Sequence, residues 1–197
     1  MLLDICFGTR TAWKLLFVFG EAPGKAISRK EIRSLTKSGN KVVTKFLKVF
    51  ENFGIVTIAK IGKAYYYKLN LSNPFVEALL PLLRLEKANL NNLDFFITTV
   101  LREFVYELMN AELENILGVI LFGSYAKRTY TPNSDIDVAI ILKERKSGEE
   151  LVITEIINSL NKRFGKEIQP HYYTKKEFEV RKDALVKEIL KDGITLM

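Results

Sequence analysis

Gly123 and Ser124 are followed, after ten residues, by Asp135-Ile136-Asp137. A Gly-Ser turn lets the backbone approach a ligand with no Cβ in the way, and the serine adds a hydroxyl, so phosphate oxygens are well served there. Two carboxylates one residue apart present hard oxygen ligands of the kind a divalent cation takes. Together these residue types imply chemistry on a nucleotide phosphate, with a metal ion as the bridge between the two.

The flanking elements must bring the two halves together. Leu117 to Phe122 reads as a short apolar strand ending at the turn, and Tyr125 to Tyr130 can begin a helix. Thr131-Pro132-Asn133-Ser134 is a turn, after which Asp135 to Leu142 alternates into a strongly apolar strand. Residues i and i+2 of a strand share a face, so Asp135 and Asp137 point one way while Ile136 and Val138 point to the core. Two like charges at a strand start repel and call for a compensating cation. The alternative is a turn aspartate followed by a solvent-facing one.

Around this centre, Leu93 to about Ile116 carries Phe96, Val100, Phe104, Leu108 and Leu113 at helical intervals, with Glu103, Glu107, Glu112 and Glu114 on the other side. A helix from about Gly148 to Phe164 and a strand from Lys166 to Tyr173 follow; Glu167, Gln169 and His171 share one face of that strand. Thr174 and Glu177 form a capping box. One helix bearing Phe178, Leu185, Val186, Ile189 and Leu190 is expected to run to Asp192-Gly193, with a last short strand at Ile194 to Leu196 and nothing catalytic in this tail.

The run from Leu121-Phe122-Gly123-Ser124-Tyr125-Ala126-Lys127 through Asn133-Ser134-Asp135-Ile136-Asp137-Val138 resembles the signature of the DNA polymerase β-like nucleotidyltransferase superfamily, in particular its minimal nucleotidyltransferase branch. The resemblance implies a small mixed sheet flanked by helices. It also implies Mg²⁺-dependent transfer of a nucleoside monophosphate from a nucleoside triphosphate, with ATP the expected donor, to an acceptor hydroxyl. Carried onto this chain, Asp135 and Asp137 would be catalytic and bind Mg²⁺, in a site with room for two metals. Gly123 and Ser124, with Lys127, Arg128 and Ser134, would hold the nucleotide. Members often have glycine where this chain has Arg128, which could instead contact a phosphate or cap the turn. Their third carboxylate falls here near Gln169, which carries no charge; Glu167, two residues earlier on the same face, is the candidate replacement. If it does not serve, the domain would bind nucleotide without turnover, as in a DNA-binding regulator or an antitoxin-like partner of a toxin.

The first third is a different kind of chain. Residues 1 to 74 hold 13 Lys/Arg against 4 Asp/Glu, a balance of +9, while the remainder has 17 against 19, or −2. That asymmetry suggests a nucleic-acid-facing module joined to a near-neutral one. An apolar helix over Thr11 to Phe19 precedes a capping box at Ser28 and Glu31, a helix over Arg29 to Thr36, and a turn at Ser38-Gly39-Asn40. A second helix then carries Val42, Val43, Phe46, Leu47, Val49, Phe50 and Phe53, and strands at Ile55 to Ala59 and Ala64 to Leu69 flank a turn at Ile61-Gly62-Lys63. This order resembles a winged helix-turn-helix domain. The resemblance would place DNA or RNA against residues 28 to 69, with Lys41, Thr44, Lys45 and Lys48 on the recognition helix and Lys60 and Lys63 on the wing. The same lysines could instead solvate the outer face of a protein-docking module.

The reading is therefore α+β: a winged domain over 1–72, a helical linker over 73–92 that Pro81 would kink or split, and a nucleotidyltransferase domain over 93–197. Leu15 to Phe19 and Val138 to Leu142 fall far short of the roughly 20 apolar residues a membrane span needs. The acidic Asp4 does not suit a signal peptide, and Cys6, the single cysteine, allows no intramolecular disulfide, so a cytoplasmic setting is expected. Cys6 reads as a small core residue. Expected partners are the nucleotide, a nucleic acid, a protein acceptor or toxin, and a second copy in a homodimer, but no membrane.

Overall fold

The computed structural model describes residues 8–90, 92–180 and 183–197, so Cys6 lies outside the described residues. The chain divides into two compact units, 1–89 and 90–197. No described helix is long and apolar enough to cross a membrane.

In the first unit, α1 (Arg10–Glu21), β1 (Ile27–Ser28), α2 (Arg29–Thr36) and α3 (Asn40–Asn52) precede β2 (Val56–Ile61) and β3 (Ala64–Leu69). The expected capping box forms: the Glu31 backbone N–H donates to Ser28 Oγ while the Glu31 carboxylate accepts from the Ser28 backbone at 2.8 Å. The strands make an antiparallel sheet in the order β1-β3-β2. Val43, Phe46, Leu47 and Phe50 bury the inner face of α3, whereas Val42 and Phe53, expected on that face, lie 41% and 40% exposed at its margins. α4 (Pro74–Asn89) packs in this unit, with Leu83 against Gly20 of α1. Pro81 does not split it; the helix continues for two more turns, and residue 81 is exposed, where a missing backbone donor is tolerated best.

The second unit runs α5 (Phe95–Asn110), β4 (Ile116–Leu121), α6 (Gly123–Lys127), β5 (Ile136–Leu142), α7 (Ser147–Phe164), β6 (Ile168–Thr174), α8 (Lys175–Glu179), α9 (Ala184–Asp192) and β7 (Ile194–Thr195). Its sheet has the order β6-β5-β4-β7; β5 and β6 are parallel, and the other pairs antiparallel. This is the small mixed sheet flanked by helices that the sequence implies. Ile136, Val138, Ile140 and Leu142 fill one face of β5 and join Val100, Phe104, Ile153 and Ile157 of α5 and α7 in the main core. The opposite face carries Phe122, Ala139 and Ile141 under Ile189 of α9. It is on this thinner side that Asp137 emerges.

Four expectations need correction. α5 ends at Asn110 rather than near Ile116, because the chain reverses through Ala111 and Glu112, the latter at φ +51°. The tail forms two helices, α8 and α9, and α6 stops at Lys127, where Arg128 takes the left-handed conformation. Glu103, expected on a polar face, is 1% exposed and accepts a hydrogen bond from Arg163 at 3.0 Å, so α5 and α7 are joined by an ion pair whose acid is buried.

Removing the cation of such a pair weakens the compensation of a buried charge. Arg163→Met should therefore destabilise the second unit by about 3 kcal/mol, while Glu103→Met with Arg163→Met should recover most of the loss, since an apolar pair avoids desolvating the acid. Urea denaturation of the two variants checks this; equal losses would place the energetics in packing rather than charge.

Candidate active site

β4 delivers the chain to Phe122, whose backbone N–H donates to the carbonyl of Asp137 at 3.0 Å. That one ladder bond sets the turn beside the acid. Gly123 then adopts φ +68°, and a Cβ placed on it would lie 2.3 Å from Oδ2 of Asp137 and 3.2 Å from its Cβ. The carboxylate occupies the space a side chain would take, so glycine is required here both for backbone conformation and for close approach. α6 is five residues long, and the donor groups of this concavity belong to the turn itself rather than to an extended helix.

The Asp137 side chain keeps 24% exposure, and Nε2 of His171 stands 3.8 Å from its Oδ1. Burial pushes the Asp137 carboxyl above the ordinary aspartate range; the His171 imidazole opposes that shift, while the charges of Asp135 and Glu188 reinforce it. The His171 ring is itself fixed by an edge-on contact with Phe122 at 5.0 Å. Asp135 precedes β5 on the exposed loop. The parallel register sets Gln169 beside Asp137 on one face of the sheet. Glu167 precedes β6 as an exposed residue, and its carbonyl accepts from the Ile136 N–H at 2.9 Å.

The remaining expected residues separate by role. Lys127 reaches α9, its Nζ 2.6 Å from Oε1 of Glu188. Arg128 sits at φ +58°, a left-handed conformation that glycine would adopt without strain. The Ser134 hydroxyl accepts from the Thr131 N–H at 2.9 Å and so closes the loop between turn and acids. Lys166 braces the same loop, donating to the Pro132 carbonyl at 3.0 Å and lying over the Tyr125 ring. Tyr125 in turn stacks on Tyr130 at 4.4 Å.

Two site residues were not foreseen in these positions. In the sequence His171 only shares a strand face with Glu167 and Gln169, and the β5–β6 register reveals its partner Asp137. Glu188 lies in a tail expected to carry nothing catalytic; its only sequence signal is a place next to buried Ile189 on an amphipathic helix.

A sequence model of the nucleotidyltransferase domain matches residues 101–196. One Methanocaldococcus jannaschii protein, named as a protein adenylyltransferase, is 32% identical over 80 residues, 40% of this chain and 81% of its own length. The chain belongs to the nucleotidyltransferase family. A second protein of that organism with the same description is 30% identical over 77 residues, covering 38% of this chain; the match spans 52%, about half, of that relative. A solved structure described as a toxin-antitoxin with AMP-PNP superposes on 48% of this chain and 70% of its own, at 19% identity and a TM-score of 0.37, too loosely to carry argument.

The geometry dictates two outcomes. Between the ordinary aspartate value and the raised one of Asp137, the folded chain holds more protons than the unfolded, so that carboxyl lowers stability as pH rises through the window. Asp137→Asn should accordingly raise the melting temperature at neutral pH. Gly123→Ala should instead lose about 2 kcal/mol, from backbone strain and from displacing the carboxylate. Calorimetry on both variants tests the pair; a destabilised Asp137→Asn would show that the charge is compensated within the protein.

Proposed function

We propose that the second unit transfers a nucleoside monophosphate from a nucleoside triphosphate to a hydroxyl group, with ATP as donor and a protein as acceptor. The observation that carries this reading is the packing of the Asp137 carboxylate into the Gly123 turn, which places a phosphate cradle against an acid. The donor set fits Mg²⁺: Asp135 and Asp137 offer hard oxygens, and Asp137 bears a desolvated charge that a cation relieves. Those two residues would hold the ion, and bound there it supplies charge neutralisation for in-line displacement at phosphorus. The turn backbone and the Ser124 hydroxyl hold phosphate oxygens. His171 steadies Asp137 from the neighbouring strand. The names of the two relatives support ATP and a protein acceptor.

One observation favours a second reading. Gln169, the neighbour of Asp137 on β6, leaves that position uncharged, as suits a domain that binds nucleotide without turning over. Incubation with Mg²⁺, labelled nucleoside triphosphates and cell extract decides between them. Transfer of label, lost by at least roughly 100-fold in Asp135→Ala and Asp137→Ala, supports the enzyme. Nucleotide binding with no transfer supports the sensor or antitoxin-like alternative.

For the first unit, we infer a winged helix-turn-helix that binds duplex nucleic acid. Lys41, Thr44, Lys45 and Lys48 are all exposed along α3, and Lys60 and Lys63 are exposed on the hairpin. Tyr65 is 51% exposed, with the Lys60 ammonium 6.0 Å from its ring centroid, whereas Tyr67 is buried at 9% and takes no part. Affinity for duplex DNA should fall steeply with salt, and neutralising Lys41, Lys45 and Lys48 together should lower the log–log slope by about 3. Salt-independent binding would point to a protein-docking surface.

A further inference from the structure

An ion pair joins the helix of the phosphate turn to the C-terminal helix: Nζ of Lys127, the last residue of α6, lies 2.6 Å from Oε1 of Glu188 on α9. Its contribution to folding is small, because both side chains keep about a third of their exposure, 37% and 33%. α9 is already fixed without it. Val186 and Ile189 are buried at 1% and 2%, and Gly193 packs tightly against Ile120.

The effect of the pair lies in what it does to Lys127. A lysine stem at this exposure samples many rotamers, and an acid on a rigid neighbouring helix selects one of them. Lys127 is four residues, about one helical turn, from Gly123 on α6, so the pair stands next to the phosphate turn. An ammonium has three donors; one occupied by Glu188 leaves two for an incoming anion.

We propose that Glu188 is a positioning residue, holding the Lys127 ammonium at the rim of the Gly123–Ser124 turn to receive the β- and γ-phosphates of a bound nucleoside triphosphate. The proposal rests on the reading of the second unit as a nucleotide site. It predicts an effect that depends on the terminal phosphates, which a merely structural acid would not produce.

The test measures binding of ATP and of AMP, each with Mg²⁺, by calorimetry on the full chain as wild type, Glu188→Gln and Glu188→Asp, with the melting temperature of each variant. Glu188→Gln should weaken ATP binding roughly tenfold, the loss of one charge-assisted phosphate contact, and leave AMP within about twofold. Glu188→Asp should recover part of the ATP affinity, and melting temperatures should agree within a few degrees. Equal losses for ATP and AMP would overturn the proposal in favour of a structural role, and so would unchanged ATP binding in Glu188→Gln. Wild-type protein that binds neither nucleotide would overturn the nucleotide reading itself.

Discussion

The site depends on one close contact, the Asp137 carboxylate lying where Gly123 has no side chain. The Phe122 N–H to Asp137 carbonyl bond fixes the end of β4 against the start of β5, and the contact follows from that register. Everything near it answers the same problem, a charge partly withdrawn from water beside another acid. His171 approaches from β6, and the loop from Arg128 to Ser134 is closed by its own hydroxyls and braced by Lys166. The result is a set of negative groups that the protein matches only in part. On the proposed reading, a divalent cation held by these carboxylates would supply the missing positive charge.

The sheet separates this site from the main core. The inner face of β5 is sealed by α5 and α7 with aliphatic side chains, while the outer face holds a smaller cluster under α9. Stability is thereby concentrated on one side and chemistry on the other. The first unit repeats the division at a different scale: α3 buries Val43, Phe46, Leu47 and Phe50 and turns its lysines outward. In each unit an amphipathic pattern serves the fold on one face and leaves charged groups available on the opposite one.

Legibility in the sequence followed the range of the interaction. Local signals were clear: both capping boxes, at Ser28/Glu31 and Thr174/Glu177, form as their spacing implies, and the Gly-Ser turn and the Asp135/Asp137 pair lie at the ends of the expected strands. Signals that depend on a partner far away in the chain were not. Glu103 looked like a solvated helix residue because its partner, Arg163, lies 60 residues on. In the tail, apolar periodicity extends across the break between α8 and α9 and so implies a single helix. His171 gains meaning only when β6 is paired with β5, and Glu188 only when α9 is laid against α6.

Glutamine at position 169 fits the electrostatics of the site. A third carboxylate beside Asp137 would add a further like charge to a group that burial, Asp135 and Glu188 already push toward protonation. With Gln169 there, the strand offers an amide that can donate a hydrogen bond to a neighbouring oxygen as well as accept one. The arrangement lowers the repulsion to be overcome before a ligand binds, and it reduces the charge available to activate an acceptor hydroxyl. Glu188, drawn toward Lys127, restores negative charge at the rim while keeping it paired.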